Sequence, residues 1–248
     1  MPSDLFKKWL KSLPTSHQDV TLYGERPGAR AVGLNALKGL LAEHFVGEAT
    51  ILQAGGYKKA AAIITNSLPS NKKTQSGDLG ELLATEYLNA ETTFVVPIKK
   101  LRWKSDRQTA MHGNDVIGVD TTKKPVRVLK GECKSRATFG DSVVLEAVES
   151  LDLHDGRPNP STLAFIAKRL YEEKRDEEAD VFRDLQCGGT IAAKNVTHMI
   201  FVLSGNDPAK HLAAGPKSKH AGIKRESAAI IIADHGAFVT AVYKTYGA

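Results

Sequence analysis

The chain has 248 residues, 42% of them hydrophobic, and a formal net charge of +6, enough to bury a sizeable core in one elaborated domain or a core with a small accessory region. Two cysteines far apart in sequence exclude a disulfide framework or a Cys-rich zinc site and suit a reducing, cytoplasmic setting. No apolar run approaches the roughly 18 residues of a membrane span, and the opening MPSDLFKKWLKSL reads as an amphipathic helix without a cleavable signal.

Taken in order, residues 1–75 read as a mostly helical amino-terminal region, with amphipathic helices near Asp4 to Leu13 and Asn35 to Val46 and an apolar patch from Ala60 to Ile64. Residues 76–248 then read as the core with a carboxy-terminal elaboration. A helix from about Leu79 to Ala90, capped by Ser76 or Asp78, leads into a β-rich run from Thr93 to Trp103. Two strands follow near Asp115 to Thr121 and Val126 to Ser135, joined by a Lys123-Lys124-Pro125 turn. Further on come a helix over Asp141 to Leu153 and one long helix from about Ser161 to Leu185. Its acidic stretch, Glu172 to Asp184, reads as a solvated face with intrahelical ion pairs. Thr197 to Leu203 and Ala228 to Ala233 read as buried strands, and Ala237 to Tyr246 as a strand pairing with the latter. Cys187, before Gly188-Gly189, reads as a buried thiol at a helix terminus.

The stretch from Val126 to Arg136 carries the chemistry. Lys130, Glu132, Lys134 and Arg136 alternate with Leu129, Gly131, Cys133 and Ser135, so one strand face is charged and the other can join a core. Glu132 and Lys134 then stand about 7 Å apart at their Cα atoms, on one face. Glu132, the main-chain carbonyl of Cys133, and Asp115 on the neighbouring strand form an oxygen set suited to Mg2+, with Mn2+ as a substitute. Such an ion polarises a phosphoryl group and activates water, while Lys134 stabilises the developing negative charge. An isolated Glu-x-Lys is a weak signal; its proximity to Asp115 strengthens it.

Charge supports a polyanionic substrate. From Val95 to Arg136 there are eleven Lys and Arg against four acids, a local excess of +7, while the rest of the chain is close to neutral. Lys99, Lys100, Arg102, Lys104, Arg107, Lys130 and Arg136 are therefore the candidate DNA-binding residues. A fourth acid comes from the upstream helix. Asp78 and Glu81 have capping-box spacing, which would make Glu81 structural, and on a helical wheel Glu86 falls within the apolar stripe of Leu79, Leu82, Leu83 and Tyr87. Residue geometry alone thus makes Glu86 the unusual acid, with Glu81 the other candidate for the accessory acid. No Walker-type phosphate loop is present.

Gly77, Glu81, Ala84, Tyr87 and Leu88, with Gly113-Asn114-Asp115 and Gly131-Glu132-Cys133-Lys134, resemble the core of the PD-(D/E)xK restriction-endonuclease-like superfamily over about residues 77–136. The resemblance implies an α/β fold with a mixed central sheet flanked by helices, metal-dependent DNA cleavage, and Glu81 as the helix acid beside the metal. Asn114 stands where the superfamily's name has proline. The wider layout, including Phe94-Val95-Val96-Pro97-Ile98 and the long α/β portion after the motif, also resembles the HamA nucleases of Hachiman anti-phage defence systems. That resemblance implies a DNA-cleaving effector working with a helicase partner, HamB. Two competing functions remain: a catalytically inactive DNA-binding or regulatory subunit, and a stand-alone restriction endonuclease.

Overall fold

The computed structural model describes residues 2–246, with side chains from Phe6 onward. Its centre is one six-stranded mixed sheet. The strands are β1 (Leu10–Leu13), β2 (Val20–Glu25), β3 (Val116–Asp120), β4 (Arg127–Arg136), β5 (Val196–Ser204) and β6 (Lys224–Ile231), in the spatial order β1-β2-β6-β5-β4-β3. The four inner strands run parallel, and β1 and β3 pair antiparallel at the two edges. Parallel inner strands must be buried on both sides. Accordingly β5 is buried at every position, sending Met199, Phe201 and Leu203 to one face and Ile200 and Val202 to the other.

Among the described residues ten α-helices surround the sheet, α3 and α4 as an outer layer on α2: α1 (Pro2–Trp9), α2 (Arg30–Phe45), α3 (Glu48–Gln53), α4 (Tyr57–Ser67), α5 (Lys72–Glu91), α6 (Asp141–Asp152), α7 (Pro160–Glu172), α8 (Asp176–Cys187), α9 (Ala209–Ala214) and α10 (His235–Lys244). The face of Phe201 and Leu129 packs against α1, α2, α5 and α10. On the opposite face α6 and α9 cover Ile200 and Val202, while α7 and α8 cover Ile117, Val119 and Val128. The first core joins Trp9 and Leu37 to Leu82 and Phe238, so side chains from before and after residue 75 share it.

Four expected elements differ, each for a physical reason. Leu10–Leu13 is not the end of a helix: its backbone pairs with β2 while Leu10 is buried, and sheet pairing outweighs the local helical pattern. The Thr93 to Trp103 run is not a strand. Pro97 has no amide to donate, so pairing stops at a single bridge between Val95 and Val119, and residues 100–103 form a 3-10 turn. The long helix over Ser161 to Leu185 is two helices. Lys174 adopts a left-handed backbone, φ 59°, which turns α8 back so that Phe182 packs among Leu163, Ile166 and Leu170. Finally, Ala237 to Tyr246 is helical. Phe238, Val239, Val242 and Tyr243 recur at one-and-four spacing and face the core as α10.

Two smaller expectations also fail. Helix α5 begins well before Leu79, capped by Asn71, whose side chain accepts from the Thr74 amide at 2.7 Å; Asp78 and Glu81 therefore lie inside the helix and form no capping box. Cys187 is exposed at the end of α8. The acidic face behaves as expected, with ion pairs Arg169–Glu172, Arg175–Glu178 and Asp180–Arg183 at three-residue spacing.

Candidate functional site

The amino end of antiparallel β3 and the carboxyl half of β4 meet at the same end of the sheet, because Val116 pairs with Gly131. Asp115, one residue ahead of β3, therefore lies beside Cys133, whose amide donates to Asp115 Oδ2 at 2.8 Å. The preceding turn is built to hold it there. Gly113 has φ +94°, and a Cβ at this position would meet Thr162 Oγ1. The same threonine oxygen accepts from the Asn114 amide at 3.2 Å, and Asn114 Oδ1 accepts from the Asn159 amide at 2.7 Å. The start of α7 thereby fixes the turn that presents Asp115.

Alternation along β4 sends Glu132 and Lys134 toward α6. Lys134 Nζ donates to Glu132 Oε1 at 3.0 Å, and Ser150 Oγ on α6 donates to Glu132 Oε2 at 2.7 Å. Glu146, also on α6, lies 3.8 Å from Lys134 Nζ. From the other face of the sheet comes α5, which approaches β4 closely: a Cβ on Gly80 would lie 3.5 Å from that of Ser135. The next residue, Glu81, faces Lys100, whose ammonium is 3.5 Å from Glu81 Oε2 and donates to the Asn114 carbonyl at 2.8 Å. Glu81 Oε2 is buried and has no hydrogen-bond partner.

Glu81, Asp115 and Glu132 sense one another. Burial pushes the Asp115 carboxyl well above the usual range, and the negative charges of Glu81 and Glu132 push it further. Glu81 is raised by burial first and by Glu132, against the opposing pull of Lys100 and Lys104. Burial and the same three carboxylates raise the Cys133 thiol, so it stays protonated. Burial is the largest cause for both Asp115 and Glu81, so in this arrangement each holds its proton more readily than a free carboxyl.

Among the described residues no group of three His, Cys, Asp or Glu side chains is arranged to hold a metal ion. Glu132 is turned to Lys134 and Ser150, and one Asp115 oxygen is taken by the Cys133 amide. The chemistry of the donors nevertheless fits a hard divalent cation: they are oxygens, Glu81 Oε2 is buried without a hydrogen-bond partner, and the charges of Glu81 and Glu132 bear on Asp115.

The other acid of α5 goes elsewhere. Glu86 is 1% exposed; His44 Nε2 donates to it at 2.8 Å, and Lys99 lies 3.3 Å away. Burial would raise Glu86, but His44 and Lys99 hold it below the usual range, while burial lowers His44. Of the two helix acids, Glu81 is the one beside Asp115 and Glu132.

The basic candidates are mostly engaged internally. Lys99 pairs with Glu43 as well as Glu86, and Arg102 donates to the Glu43 carbonyl and lies 3.7 Å from Glu173. Lys104 is buried against Asp78 at 2.8 Å, and burial raises Asp78 to about 7. Lys130 is buried beneath α6, donating to the carbonyls of Leu151 and Leu153 at 2.8 Å each, and burial lowers it to about 8. Arg107 and Arg136 are exposed. Sequence patterning gave no hint of Ser150 or Glu146, which contribute from a helix separated from β4 in the chain; only the amphipathic face of α6 could have pointed to them.

These relationships define an α/β protein with a mixed six-stranded sheet, helices on both faces, and an acid-lysine cluster where β3 begins beside β4. The sequence model of the family described as HamA matches residues 6–245, and the chain belongs to the HamA family. It is similar to the Hachiman protein HamA of Bacillus cereus, 35% identical over 136 residues, which is 55% of this chain and 48% of that protein. The matched segment thus spans about half the length of that relative. Among the described residues no helix is long and apolar enough to cross a membrane.

Proposed function

We propose that this protein is a metal-dependent DNA nuclease with a restriction-endonuclease-like core, the effector of a Hachiman-type anti-phage defence system working with a helicase, HamB. The observation that carries the chemistry is the meeting of Asp115, Glu132 and Glu81 from three elements, with Lys134 on Glu132. The family match and the relative's name support the defence setting.

Asp115, Glu132 and the Cys133 carbonyl would hold Mg2+ or Mn2+, with Glu81 as the accessory acid. When bound, the ion supplies Lewis acidity at the phosphoryl group and a more acidic water. The protein's own groups do the rest. Lys134 offers an ammonium to the negative charge that grows on the phosphoryl oxygens as water adds to phosphorus and the ester P–O bond breaks. Ser150 keeps Glu132 from rotating freely, and Lys100 ties Glu81 to the Asn114 turn.

The test is cleavage of linear and supercoiled DNA by the purified chain, alone and with its helicase, with Mg2+, Mn2+ or a chelator. Glu132→Ala and Lys134→Ala should each lower the rate roughly 100-fold or more. Undiminished cutting by folded variants overturns the assignment. Salt-sensitive DNA binding with no metal-dependent cutting under any of these conditions would instead establish an inactive DNA-binding subunit.

A further inference from the structure

A cavity of about 400 Å³ opens between the first turn of α5 and the last turns of α10, apart from the acid cluster. Its charged lining is Lys72, Arg107 and Lys244, with no Asp or Glu. Lys72 and Lys244 are exposed and have no ion-pair partner among the described residues. Arg107 spends one nitrogen on the Asn66 carbonyl, leaving the remaining guanidinium donors for other acceptors. Three cations gathered around a concave site without a counter-charge raise the local concentration of anions.

A further feature points to an anion. Lys72 and Gln75 belong to the first turn of a 20-residue helix, whose amino end carries a partial positive charge. Tyr243 forms part of the wall, but its hydroxyl is buried away from the cavity, toward Asp78 and Glu81.

We propose that this cavity binds a phosphate group, held by Lys72, Arg107 and Lys244. The phosphate belongs either to the DNA strand or to a free nucleotide, and the first source rests on the nuclease function proposed above. Lys72 lies nine residues before Glu81 on α5, about 14 Å along the helix axis. A phosphate held there would anchor the backbone at a fixed offset from the acid cluster.

The test uses the full chain in chelator, so that binding is read without cutting. Fluorescence anisotropy follows a labelled duplex and a labelled single strand; calorimetry follows ATP and pyrophosphate. The variants are Lys72→Glu/Lys244→Glu and the milder Lys72→Gln/Lys244→Gln, which removes the two charges without reversing them. If DNA supplies the phosphate, Lys72→Glu/Lys244→Glu weakens oligonucleotide binding at least about 10-fold and reduces the salt slope by about 2, one unit per lost phosphate contact. Lys72→Gln/Lys244→Gln then weakens it by a smaller factor without lowering the melting temperature. If a nucleotide supplies it, ATP and pyrophosphate binding fall while DNA binding holds. Unchanged binding of all four probes by both variants overturns the site. Cutting with Mg2+ is scored separately: an unvaried chain that never cuts, alone or with its helicase, but whose DNA binding falls in the double variants, removes the nuclease function and leaves the cavity assigned.

Discussion

Ser150 on α6 donates to Glu132 on β4 at 2.7 Å, occupying the carboxylate oxygen that Lys134 does not. A proposed metal ligand is thus oriented by a helix lying across the sheet from Glu81. Orientation of this kind is typically worth 10–100-fold in activity or metal affinity. Ser150→Ala should therefore slow Mg2+-dependent cleavage roughly 10-fold and raise the Mg2+ concentration for half-maximal rate, at a stability cost of only about 1 kcal/mol. Titrating Mg2+ with wild-type and variant protein checks this; an unchanged metal requirement would make the hydroxyl a packing detail.

The two acids of α5 should separate cleanly. Glu81 lies beside Lys100 with an orphan oxygen, whereas Glu86 is locked between His44 and Lys99. Glu81→Gln should depress cleavage at least about 10-fold with little change in urea midpoint. Glu86→Gln should do the reverse, costing about 2 kcal/mol, as expected when a buried charged hydrogen-bond partner is weakened, while cleavage per folded molecule is preserved. Paired denaturation and turnover assays decide it.

Gly113 should resist substitution. Its φ of +94° disfavours any side chain, and the Cβ of alanine would press on Thr162 Oγ1. Gly113→Ala should cost about 1–3 kcal/mol and, by displacing Asn114 and Asp115, reduce cleavage as well. Chemical denaturation alongside a cleavage assay would reveal both effects.

Acid titration should expose Asp78. Its folded value is about 7 against an ordinary 3.8, raised mainly by burial despite the pairing with Lys104. Between these values the folded state binds a proton that the unfolded state has lost, so this group's stabilising contribution is complete below about 3.8 and disappears as pH rises through about 7. Asp78→Asn should flatten that part of the stability profile. Urea midpoints measured from pH 4 to 8 for both proteins supply the comparison; parallel profiles would refute the assignment.

Strand periodicity was a dependable guide to direction and a poor guide to depth. It places Glu132 and Lys134 on one face, as found, but puts Lys130 on that face too without revealing that α6 covers it. The basic run shows a related limit. Its counter-charges, Asp78, Glu86 and Glu43, come from α5 and α2, outside the run itself, so a local sum of charge cannot distinguish paired lysines from free ones. Of the basic residues now found around the cavity, Lys72 and Lys244 lie far apart in the chain and only tertiary packing unites them. The β3–β4 pair was legible because both strands and their turn are contiguous. The helix at Phe238 to Tyr243 was not, since a short apolar run serves either secondary structure.

Strand β2 lies alongside β6 from Val20 to Gly24 and is itself flanked by β1. Removing residues 1–75 would strip away both neighbours and leave Ser227 to Ile231 with a bare row of peptide groups on an otherwise apolar strand. Such an uncapped margin invites pairing with another copy. A truncated chain would consequently be expected to self-associate, and any attempt to isolate the acid cluster in a smaller fragment has to bring the first twenty-five residues with it.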